Sequence, residues 1–122
     1  MQYALLIYSE PTAEPLSDEA TAAYMKAYQQ FTEEVIAAGV MQGGEALEEV
    51  STATTVRVRD DDVITSDGPF AETKEVLGGF YLLDCADLDE VLGWAAKIPT
   101  AKHGSVEVRP VWSVPEEYST ES

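Results

Sequence analysis

One cysteine, one histidine and seven basic residues among 122 positions set the first limits on this chain. A lone Cys85 can form no intrachain disulfide, so the sequence reads as a protein of a reducing cytoplasm. Cys85 and His103 are single representatives of their types, with no paired spacing. That argues against a zinc site of the usual kind, and neither metal nor cofactor is expected. The 7 basic residues face 23 acidic ones, for a formal net charge of −16. Nucleic-acid backbones and anionic membrane surfaces both demand clustered Lys and Arg, so neither is an expected partner. The acidity itself reads as a solvated, self-repelling surface. No hydrophobic run approaches the length of a bilayer span. The apolar start, Tyr3–Tyr8, lacks a basic flank and is closed by Glu10-Pro11, so it reads as a buried strand. A phosphate-cradling glycine loop is missing too; Gly43-Gly44 and Gly78-Gly79 suit β-bulges better.

What is present is enough for one folded unit. A 45% hydrophobic content supports a core, with one domain expected over 1–114 and a polar, loose tail over 115–122. Residues 2–8 predict a strand that is apolar on both faces: Tyr3, Leu5 and Ile7 on one, Ala4, Leu6 and Tyr8 on the other. Pro11 and Pro15 punctuate a loop. Ser17 then offers an N-cap with Asp18 and Glu19 behind it. Ala20, Tyr24, Ala27, Tyr28, Phe31, Val35 and Ala38 recur at helical spacing up to Gly39, a natural stop. Residues 40–48 predict a second strand bulged at the glycine pair. Thr54–Arg59 alternates, Asp60-Asp61-Asp62 turns, and 63–65 returns as a short hairpin partner. Gly79–Cys85 predicts another strand apolar on both faces. Asp87 caps a second helix with Leu88, Val91, Leu92 and Ala95 inward and Pro99 beyond it. Ser105–Val111 predicts the last strand.

This order is α+β: a ferredoxin-like βαββαβ pattern with an extra β-hairpin. Two helices can cover only one face of a four-stranded sheet, yet two of its strands are apolar on both. A second copy of the same sheet is the economical cover. Burying ~600 Å² of apolar surface there is worth roughly 15 kcal/mol before association costs. The sequence therefore predicts a homodimer, its sheets facing each other as a dimeric α+β barrel around a shared cleft.

The densest polar stretch is Asp67-Gly68-Pro69-Phe70-Ala71-Glu72-Thr73-Lys74-Glu75, leading into Gly78-Gly79-Phe80-Tyr81. With Trp94-Ala95-Ala96 and Val106-Glu107-Val108-Arg109-Pro110-Val111, it closely resembles the DGPF branch of the YCII-related proteins. The likeness runs from Tyr3–Tyr8 through Gly43–Leu47 to Val111. It implies a ferredoxin-like fold that dimerises as an α+β barrel, in a branch frequently encoded beside extracytoplasmic-function sigma factors and without an assigned activity. More distant relatives act on muconolactone-type ring compounds. The wider family's supposed His–Asp pair does not carry over, because no histidine precedes His103 and Ile98, not Asp, stands before Pro99.

The candidate residues each admit a structural and a functional reading. Asp67 either caps its own turn as an Asx motif or acts as a general base at the cleft mouth. Phe70 reads as the loop's hydrophobic anchor. Glu72, Lys74 and Glu75 either form a solvated charge cluster or line the cleft. Glu107 and Arg109 share one strand face, either as an ion pair or with Arg109 offering its fork to a substrate carboxylate. His103 is the one group with an ordinary pKa near neutrality and sits in a loop, on the surface or as an acid–base group. Tyr8 and Tyr81 either pack as core or present hydroxyls to the cleft. Together these predict a small polar or aromatic ligand and, if there is chemistry, cofactor-free proton transfer of isomerase or lyase type. The alternative is a non-catalytic, sigma-factor-linked regulator whose acidic surface docks a basic partner.

Overall fold

The computed structural model describes residues 1–11 and 16–119; Pro15 and the last three residues of the tail lie outside them. The elements run β1 (Gln2–Ser9), α1 (Asp18–Ala37), β2 (Met41–Ala46), β3 (Thr54–Arg59), β4 (Asp62–Asp67), β5 (Val76–Asp84), α2 (Leu88–Ala95) and β6 (Ser105–Pro110). Short 3-10 turns at Val50–Thr52, Pro99–Lys102 and Glu116–Tyr118 punctuate them. Four strands form one antiparallel sheet in the order β2-β5-β1-β6, and β3 pairs with β4 in a separate two-stranded sheet. This is an α+β arrangement consistent with the ferredoxin-like pattern.

Local chemistry explains the element ends. The Ser17 hydroxyl accepts from the Ala20 amide at 3.1 Å, and Asp18 and Glu19 occupy the first turn of α1 where the helix dipole favours them. Gly39 ends the helix with φ +76, a left-handed conformation that only glycine adopts cheaply. Asp87 accepts from the Glu90 amide at 2.9 Å and starts α2. The hairpin turns on Asp60 and Asp61, both at positive φ, so Asp62 already belongs to β4, and that strand runs to Asp67 rather than stopping at 65.

Strand alternation decides which residues meet the helices. Tyr3, Leu5 and Ile7 of β1 are buried with Leu83 and Cys85, against Phe31 and Val35 of α1 and Val91 and Ala95 of α2. Val106 and Val108 pack onto the same core. In register with Leu6 are Phe80 and Glu107, and with Ala4 are Leu82 and Arg109. These, with Tyr8, occupy the opposite face, which no described helix covers. Both strands are double-sided, as their sequence predicts, and Glu107 and Arg109 take the uncovered side.

Some inward faces differ from expectation. Ala20 and Ala38 of the α1 stripe are exposed, and the fully buried positions of that helix are Phe31 and Val35. On α2, Leu88 and Leu92 are about half exposed, and the buried positions are Val91, Ala95 and the following Ile98. With eight residues, α2 presents only two turns, so one narrow stripe suffices. A register shift on β2 falls between Met41 and Gly43, at Gln42 rather than on the glycine pair, whereas Gly78 is the extra residue opposite Ile7–Tyr8 as expected.

Candidate functional site

Between α1 and the sheet opens a cleft of about 1040 Å³. Its floor is made by β2 and β5 where Gly44, Gly78 and Gly79 carry no side chains, and its walls include Ile7, Met25, Met41 and Ala46. The wall is mostly apolar carbon; Lys26 reaches it from α1, whereas Glu45, in register with Phe80, lends only its backbone and carries its carboxylate on the other sheet face.

Hydroxyls converge on this cleft. Tyr24, Tyr28 and Thr32 follow one another at four-residue spacing along α1, so they line up on one helix face. Across from them, the turn Pro99–Lys102 presents Thr100, which is only 3% exposed. Its Oγ1 is hydrogen-bonded to the Tyr28 hydroxyl at 2.5 Å and also to the Tyr24 hydroxyl. The two rings lie 5.2 Å apart, tilted by 58°. Burial pushes the Tyr28 phenol up to about 12. Further along, Thr32 Oγ1 meets the Tyr81 hydroxyl at 2.9 Å, and the Tyr81 ring rests edge-on against Phe31 at 5.1 Å.

Gly104 makes this geometry accessible. A Cβ there would collide with the Tyr8 carbonyl oxygen and press on Thr100 Cγ2 at 3.0 Å. The bare glycine lets the turn close against the end of β1, and its amide donates to the Thr100 carbonyl at 2.7 Å. Thr100 is thereby held under the two tyrosines.

The residues expected from sequence fall into three places. Tyr81 lines the cleft, and His103 stands beside it, its ring 6.1 Å from that of Tyr24. Tyr8, Glu107 and Arg109 lie on the uncovered sheet face; Arg109 Nε donates to Glu107 Oε2 at 3.0 Å and Nη2 donates to the same oxygen. The guanidinium fork is thus already engaged by its neighbour on the strand. Asp67 ends β4, Phe70, Glu72, Lys74 and Glu75 occupy the loop after it, and none of them lines the cleft. Asp67 forms no Asx cap, because the residue two on is Pro69, which has no N–H, and the Gly68 amide donates to the Ala53 carbonyl at 2.7 Å. Phe70 is 77% exposed and anchors nothing; Arg57 Nη2 holds the loop instead, donating to the Phe70 carbonyl at 2.9 Å. Lys74 pairs with Glu10 at 3.3 Å, and Glu75 accepts from Ser105 Oγ at 2.9 Å, tying the loop's far end to β1 and β6.

Tyr24, Tyr28, Thr32 and Thr100 were not among the expected site residues. The spacing of both tyrosines also fits the helix's core stripe. The additional signal was Thr32, a third hydroxyl in step with them; Thr100 comes from a turn no periodicity marks. Among the described residues, no group of three or more His, Cys, Asp or Glu gathers to hold a metal ion.

A model of the YCII-related domain matches residues 1–115. The chain belongs to the YCII-related family. It is also 40% identical over 114 residues to an uncharacterized protein of Rhizobium meliloti (strain 1021), covering 91% of this chain and 92% of that one. Within this YCII-related protein, no described helix is long and apolar enough to cross a membrane.

Proposed function

We propose that this YCII-related protein binds a small molecule with an apolar ring body in the cleft between α1 and the sheet. The supporting observation is a cavity of about 1040 Å³ whose mostly apolar wall carries several converging hydroxyls, the common make-up of a small-molecule site. This moves the ligand from a hollow between subunits into each protomer. Proton transfer, if the bound molecule undergoes it, involves His103 beside Tyr24 rather than a loop carboxylate. Filling the cleft tests the reading. Ala22→Trp, at an exposed α1 position on the cleft wall, should abolish ring-compound binding while leaving the circular dichroism spectrum unchanged. Equal binding by wild type and this variant contradicts the reading.

We further propose that the uncovered sheet face meets a second copy, as in the dimeric barrel the family resemblance implies. Support comes from Leu6, Phe80 and Leu82, which the register gathers on that face.

A second reading draws on Phe70. An aromatic ring 77% exposed between Asp67 and Glu72 suits a protein contact, with acids complementing a basic partner such as a sigma-factor-linked component. Phe70→Ala should then weaken a salt-sensitive association and leave the cleft's ligand binding unchanged.

A further inference from the structure

With the Glu45 carboxylate on the other sheet face, Lys26 is the charge that the cleft wall presents. Most basic groups of the chain are already engaged. Lys74, Lys97 and Arg109 sit in ion pairs, and Arg57 and Arg59 donate to backbone carbonyls. Lys26 has no such partner among the described residues, although acids outnumber bases 23 to 7. Its helix keeps acids away from it: the positions three and four residues to either side are Ala22, Ala23, Gln29 and Gln30. The nearest acids of α1, Glu19 and Glu33, stand two turns off, about 10 Å along the axis. That is roughly a Debye length at physiological salt, so their charge reaches Lys26 largely screened.

The hydroxyls of the cleft do not compete for a ligand. Those of Tyr24, Tyr28 and Thr100 satisfy one another, with the Thr100 backbone also bonded to Tyr28. Thr32 is likewise paired with Tyr81. What these groups leave for a ligand is carbon surface, which holds an apolar body without regard to its charge.

We infer that the cleft takes a ring compound bearing one carboxylate, its ring beneath α1 and its charge against the Lys26 ammonium. This deepens, and rests on, the cleft reading above. Lys26 lines the cleft yet is exposed, so neither charge of the pair has to be buried dry. One ammonium balances one carboxylate. A phosphate dianion would keep an unmatched charge here, and a cationic ring would be repelled.

Three probes of one skeleton test this: indane-2-carboxylate, its neutral carboxamide and 1-indanone, titrated into the 15N-labelled protein and followed by amide shifts. On partitioning alone the carboxylate should bind most weakly, since a charge is the costliest group to take from water. The inference predicts the reverse. At low ionic strength the carboxylate should bind about 3- to 5-fold tighter than the carboxamide, as an exposed ion pair allows. Added salt should shrink that lead. Lys26→Gln, at an exposed helix position, should reverse the order and leave the carboxamide's affinity as it was. Lys26→Arg should keep the carboxylate ahead. Lys102→Gln removes an equal charge that does not line the cleft, and should alter nothing. A carboxylate no tighter than the carboxamide, with shifts at the cleft, would overturn the charge preference and spare the cleft. Equal losses in Lys26→Gln and Lys102→Gln would trace the preference to diffuse charge and overturn the role of Lys26. No cleft shifts with any probe would overturn both this inference and the reading beneath it.

Discussion

Tyr28 carries the protein's clearest pH signature. Its phenol is raised from 10.0 to about 12, chiefly by burial, so the folded state holds the proton more tightly than the unfolded chain. The stability linked to it is therefore complete below pH 10 and is lost as pH climbs from 10 towards 12. Cys85 acts in the same direction one step lower: burial first, and then the nearby Glu90, lift it from 9.0 to about 11. Thermal melts should fall from pH 9 upward, and Tyr28→Phe should flatten the part above pH 10 while keeping the Cys85 part. Parallel curves for variant and wild type would contradict the burial of Tyr28. At this scale the sequence was only partly legible. Asp67, Glu72 and Lys74 drew notice because they are charged and crowded, but free loop charges carry no record of where a cavity forms. The hydroxyls that do face one looked like ordinary core aromatics.

Among the elements, the strands and helices were read almost as they stand, because period-two and period-3.6 patterns record which residues face a core. Lengths were less secure: β4 extends to Asp67 and β5 begins at Val76, since backbone pairing continues where side chains stop alternating. What the patterns could not say is that the fully buried positions of α1 are confined to Phe31 and Val35, while Tyr24 and Tyr28 are only partly covered. Those two rings help wall the cleft. The turn carrying Thr100 depends on Gly104, whose missing Cβ permits contact with the end of β1. Gly104→Ala should destabilise the fold by about 1–3 kcal/mol, as forced overpacking usually does. It should also weaken ring-ligand binding, read by urea melts and the same amide titration. An unchanged midpoint and affinity would show that the turn relaxes freely.

For the whole molecule, the balance of apolar surface decides assembly. One sheet face is closed by two helices, whereas Ala4, Leu6 and Leu82 share the other with a self-paired Glu107–Arg109. A mostly apolar face whose one basic group, Arg109, is already held by Glu107 suits a second copy of itself better than an acidic partner. Analytical ultracentrifugation should report a dimer at micromolar concentration, and Leu82→Glu should return it to monomer with the fold retained. A stable wild-type monomer would contradict the assembly but not the cleft, which each protomer builds alone. The hairpin stands apart from this ledger, since its Val56, Val58 and Val63 share an exposed face that no described element covers.

The amide map of a ring compound on the intact protein tests the central claim most directly. With 1-indanone, the largest shifts should trace Tyr24, Tyr28, Thr32, Gly79 and Thr100, inside each protomer beneath α1. Shifts gathered instead on Leu6, Leu82 and Arg109, or on the loop from Asp67 to Glu75, would put the ligand elsewhere and contradict the account.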